Sequence, residues 1–85
     1  MMRDEVQDAA RRQPFQPFRV TLTTGATYEV RHPDLIMVGL GSAIIGIPRE
    51  PDGRAYQHTI QVDLAHVVAI ENLQVAQATS NGPSA

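Results

Sequence analysis

The chain has 85 residues and no cysteine, which admits one small domain and excludes disulfides and thiolate zinc sites as sources of stability. Apolar residues make up 42%, but ten of them are alanine; a chain this short hides only about 60% of its unfolded surface, so self-association is the expected supplement to a thin core. All seven cations are arginine, set against nine carboxylates for a formal charge of −2, and the basic surplus that usually accompanies phosphate-backbone binding is missing.

Residues 1–13 read as a helix that caps the rest of the domain. Met2, Val6 and Ala9 or Ala10 recur at helical spacing, acids come early, Arg11 and Arg12 come late, and Pro14 ends the run. The same stretch has no apolar core of the kind a signal peptide needs. PFQPF follows, with Pro14 and Pro17 enforcing an extended path and Phe15 and Phe18 placed to pin the helix onto the first strand. From Phe18 the period changes to two: Phe18, Val20 and Leu22 share a face, Thr24-Gly25 turns the chain, and Ala26, Tyr28 and Val30 alternate with polar neighbours. Residues 18–31 are therefore a predicted hairpin.

His32-Pro33-Asp34 breaks that strand. Residues 35–38 and 43–47 are strands apolar on both faces, separated by the turn Gly39-Leu40-Gly41-Ser42, with Gly46 a bulge or a point of close approach. The uncharged run of 14 residues at 35–48 carries three glycines and is short of the roughly 20 needed to span a bilayer, so no membrane contact and a cytoplasmic location are expected. PREPDG is a polar loop, residues 56–64 are a half-buried strand with Tyr56, His58, Ile60, Val62 and Leu64 facing inward, and residues 67–73 are the last strand. The tail, residues 74–85, is polar and small-sided, and disorder is expected there.

One helix and five or six short strands, with glycines 25, 39, 41 and 46 read as bends, predict a mainly β fold. The expected form is a strongly bent antiparallel sheet closed into a five-stranded, SH3-like or Sm-like barrel over residues 14–73. Two strands apolar on both faces need cover on the outer side, either from the helix or from a second copy of the chain.

His32, Asp34, His58, Asp63 and His66 are the candidate chemistry-bearing residues. Their spacing matches no metal motif, and the bland readings are an Asx-turn for Asp34 and a partly buried, hydrogen-bonded ring for His58. Ser42 in GLGSAIIG lacks a GxSxG elbow or a partnered base, and Ile44 occupies the place of the third glycine in a dinucleotide loop. No catalytic residue, cofactor or metal is assigned. Arg19 and Arg31 are expected either to pair with Glu29 across the hairpin or to offer a guanidinium patch to an acidic partner.

The run PFQPFRVTLTTGATYEVRHPD resembles a family of short, uncharacterised bacterial proteins with the pattern PFxPFxxxLxxGxxYxVxHPD; the resemblance extends from Pro14 to about Leu73 and implies no activity. A more distant resemblance is to Sm-like proteins, carried by the N-terminal helix, Leu-Thr-Thr-Gly at 22–25 and AHVVAI at 65–70. It implies ring formation and a base contact at His66. Ala65-His66 stands where the bacterial RNA chaperones of that group have Lys-His, which departs from their uridine pocket. The function expected is that of a non-enzymatic barrel acting by self-association and by binding a protein partner, with His66, His32, Arg19 and Arg31 as contact residues. A ring-forming RNA binder is the alternative, disfavoured by charge, and a small hydrolase is the third reading.

Overall fold

The computed structural model describes residues 3–73; Met1, Met2 and the expected tail at 74–85 lie outside the described residues. The helix α1 (Arg3–Arg11) carries Asp4 and Glu5 in its first turn and Arg11 in its last, complementing the peptide dipoles. Val6, Ala9 and Ala10, at i, i+3 and i+4, form its one buried stripe. Phe18 is buried, and Phe15 packs beside it with ring centroids 6.0 Å apart. The PFQPF segment is tied to the end of the last strand: Leu73 N donates to Pro17 O at 2.9 Å, and Asn72 Nδ2 donates to Gln16 Oε1.

Six strands follow: β1 (Phe18–Leu22), β2 (Thr27–Val30), β3 (Ile36–Val38), β4 (Ser42–Pro48), β5 (Tyr56–Asp63) and β6 (Val67–Asn72). They form two antiparallel sheets of three strands, ordered β2-β1-β6 and β3-β4-β5. The 18–31 hairpin forms as its alternation requires. Leu22 N donates to Ala26 O and Gly25 N to Leu22 O, both at 2.9 Å, and Gly25 takes φ 93°, where a side chain would be strained. Phe18, Val20, Val30 and Val67 from the first sheet meet Ile36, Ala43, Ile45 and Val62 from the second in one core. Leu35 and Leu64 join it from two short 3-10 turns, Pro33–Leu35 and Leu64–His66, and Val6, Ala9 and Ala10 join it from α1.

The expected barrel does not form. Among the described residues neither sheet closes or curls strongly, and no ladder joins the two. Closure needs a strand that bends from one sheet into the other, and both places where that could occur are interrupted. Pro33 ends the first hairpin and starts a 3-10 turn. After β5, the Asp63 carboxylate accepts from Ala65 N at 2.9 Å and caps a second such turn. The glycines read as sheet bends have other roles: Gly25 turns the first hairpin, and Gly39 donates to Ser42 O at 2.8 Å in the β3–β4 turn.

The face assigned to 56–64 also needs correction. Ile47 pairs with His58 but Pro48 pairs with Tyr56, so a bulge at Gln57 moves Tyr56 to the outer face, and His58 is exposed rather than partly buried. Ile60 and Val62 keep the inward positions, while Leu64 is buried from the 3-10 turn. A second bulge, opposite Thr21 and Leu22, leaves Val68 unpaired and 55% exposed.

Ile45 is fully buried and Met37, one strand away on the other face, is 66% exposed. Ile45→Ala should therefore cost about 2–5 kcal/mol, and Met37→Ala less than about 0.5 kcal/mol. Urea unfolding of the two variants side by side checks both values.

Candidate contact surface

The two outer faces differ in chemistry. On the first sheet, the register sets Arg19 directly opposite Glu29 on one side and Glu71 on the other. Arg19 Nη2 donates to Glu29 at 3.2 Å and Nη1 to Glu71 at 3.0 Å, while Arg31 grips Glu29 Oε1 through Nε at 3.2 Å and Nη2 at 2.8 Å. Two cations and two anions thus run across three strands as a neutral ladder. The hydrogen bonds from Arg31 and then from Arg19 hold the Glu29 carboxyl below its usual range, and those to Glu29 and Glu71 raise Arg19. The guanidiniums of Arg19 and Arg31 are engaged within the chain.

The remaining candidates are dispersed. The half-buried His32 ring faces the Asp52 carbonyl, with Nε2 3.0 Å from it, so this nitrogen carries the proton and donates to the 49–55 loop. Asp34 makes no Asx-turn; its carboxylate lies 3.8 Å from Arg54 on the same loop. His66 is exposed at the end of a 3-10 turn, with Nδ1 3.3 Å from Thr23 Oγ1 and its carbonyl accepting from Thr23 N at 2.8 Å. The structure thus brings Arg19 and Arg31 together and leaves His32 and His66 apart, each with its own partner. Among the described residues, no three His, Asp or Glu side chains converge as metal ligands, and no helix is long and apolar enough to cross a membrane.

On the second sheet the outward positions are Met37 of β3, Ser42, Ile44 and Gly46 of β4, and Thr59, Gln61 and Tyr56 of β5, set side by side by the β3–β4 and β4–β5 registers. Met37 is 66%, Tyr56 60% and Ile44 38% exposed, and Leu40, in the adjoining turn, is 90% exposed. α1 leaves this face open because its apolar stripe is committed to the core. Between these side chains lies a shallow depression of about 70 Å³ lined by Asp34 as well as by Leu35, Ile36, Met37, Ile44, Gly46, Tyr56 and Thr59. Gly46 makes it: a Cβ there would come within 3.0 Å of Tyr56 Cβ and 3.2 Å of Leu35 Cδ2. The close approach expected at Gly46 is therefore present, and its consequence is a hollow in an apolar face.

Tyr56 is the residue of this face that sequence reading placed on the wrong side; a proline at the strand end opposite it, Pro48, is the one signal of the bulge that redirects it. No protein-family model, curated protein or solved structure matches the chain.

Glu29 ties the ladder together, yet its side chain is 39% exposed, so solvent screening limits Glu29→Gln to a cost of about 0.5 kcal/mol at pH 7. The folded-state pKa lies below the unfolded one. The contribution is therefore complete above the ordinary glutamate range, at about 4.3, and is lost as the pH falls through the depressed folded value. Urea unfolding of the two proteins at pH 7, 5 and 3 should show the gap closing toward the lowest pH.

Proposed function

We propose that this is a non-catalytic domain that works by contact with protein through the outer face of the second sheet. The observation that supports it is the cluster of Met37, Ile44 and Tyr56 around the Gly46 hollow. Full burial of a large apolar side chain is worth roughly 1.5–3 kcal/mol. Met37 and Tyr56 hold more than half of their surface in reserve, and a partner side chain can enter the depression between them. Scattered exposed apolar residues need no explanation, whereas a cluster beside a concavity marks a contact site.

The same reading disfavours nucleic acid. The chain is net acidic, and the two arginines of the first sheet already answer carboxylates. The phosphate contacts that drive RNA affinity have few free cations to rest on.

The decisive comparison uses the wild-type chain, the double variant Met37→Glu/Ile44→Glu and the control Glu29→Gln, each immobilised after its fold is verified by circular dichroism. At least one protein should be retained by wild type and control and lost by about tenfold or more from the double variant. Equal retention on all three overturns the proposal. So does capture of oligo-U at low salt that weakens steeply as salt rises.

A further inference from the structure

An open two-layer fold ends each sheet in unpaired backbone, and three of the four edges here are blunted. β3 is three residues long, has α1 packed against it, and is followed by Gly39, whose carbonyl accepts from Arg3 Nε at 2.8 Å. β2 has four residues, carries Glu29 and runs into Arg31-His32-Pro33. β6 carries Glu71 and is broken by the bulge at Val68. Shortness, cover, charge and bulges are the devices by which sheets avoid edge pairing.

β5 has little of this protection. It is eight residues long, pairs only with β4, and contains no proline, lysine or arginine. Its bulge lies at the Tyr56 end and its single carboxylate, Asp63, at the other, so His58 to Val62 is a regular, neutral and mostly exposed edge.

We propose that this edge pairs with β5 of a second copy of the chain, antiparallel about a two-fold axis, to make one six-stranded sheet. The proposal takes from the preceding section only that the domain acts by contact; it uses the backbone edge of β5, whose side chains Thr59 and Gln61 also point out onto the face, so the variant at Met37 and Ile44 is what separates the two. Charge selects the partner. From Tyr56 to Val62 the strand has no charge to answer a charged peptide, whereas its own copy is neutral over the same length. Among the registers that keep core-facing side chains in phase, the two of greatest overlap are centred on Thr59 and on Ile60. The first sets Asp63 opposite Ala55 and the second sets it opposite Gln57, so like charges meet in neither. Eight residues span about 27 Å, and a single strand pair falls short of the roughly 800 Å² per partner of a standard interface. The dimer is accordingly expected to dissociate on dilution.

Sedimentation velocity of the full chain from about 5 to 500 µM, a range that brackets a weak interface, is the test. Wild type should pass from monomer to dimer across this range. Thr59→Lys/Gln61→Lys alters two exposed positions and sets lysines against one another in the Thr59-centred register at residue 59 and in the Ile60-centred register at both; it should raise the concentration for half-dissociation at least about tenfold. Thr59→Glu/Gln61→Glu should do the same, and mixing the Lys and Glu variants should restore a mixed dimer, a rescue that misfolding cannot imitate. Met37→Glu/Ile44→Glu should leave the dimer intact. A monomer at every concentration, a closed ring, or a dimer indifferent to the edge charges overturns the proposal. If the face variant alone dissociates the copies, the edge proposal falls and the contact face stands.

Discussion

Strand geometry sends alternate side chains to opposite faces, so a segment apolar at every position cannot be buried whole in a domain with a single core. Residues 35–38 and 43–47 are such segments. Ile36, Ala43 and Ile45 go inward and complete the core; Met37 and Ile44, one residue out of phase, have no choice but to go outward. α1 cannot cover them, because a nine-residue helix has one narrow apolar stripe and that stripe is needed to seal the core. Apolar exposure on the second sheet therefore follows from composition and parity together.

What was legible in the sequence was whatever depends on local period and punctuation. The amphipathic helix, the hairpin with Thr24-Gly25 at its turn, the break at His32-Pro33 and the positions of the later strands all express short-range rules, and each is present. Closure was not legible, because it depends on how the chain crosses between sheets. Three residues of 3-10 geometry at Pro33–Leu35, and three more at Leu64–His66, suffice to separate what would otherwise be one bent sheet. Glycines read as signs of curvature were needed for a turn conformation at Gly25 and for bare space at Gly46.

The candidate residues show the same division. Glu29 is legible as a partner for Arg19 because hairpin register is set by the turn, and for Arg31 because it lies two residues away on the same face. Glu71, 52 positions from Arg19, joins them only through the β1–β6 pairing, which nothing local announces. Tyr56 was assigned inward by strict alternation and stands outward because one extra residue, Gln57, shifts the phase. One residue of slip moves every side chain beyond it to the other face, and in this chain that slip places a tyrosine beside Gly46 and completes the apolar hollow.

The ladder, the face and the edge are connected through the same economy of charge. Four of the sixteen charged side chains are used within the chain to neutralise the outer face of the first sheet, and others, among them Arg54 and Asp34, face one another between the 49–55 loop and the Pro33–Leu35 turn. The second sheet is left with Asp63 as its one charged strand residue. The outward strand positions of its face and the middle of its edge carry no charge for the same reason, with Asp34 the one carboxylate lining the hollow, and they lie on the same three strands. Pairing of the β5 edges would set the two copies of the face side by side in one continuous sheet. A partner with two apolar anchors would then engage both hollows, and its second contact would form at the effective concentration set by a rigid spacing rather than by free diffusion. On these two proposals, weak self-association and weak contact at each face would combine into one stronger interaction, a route by which an 85-residue chain with a thin core would hold a partner without a deep pocket.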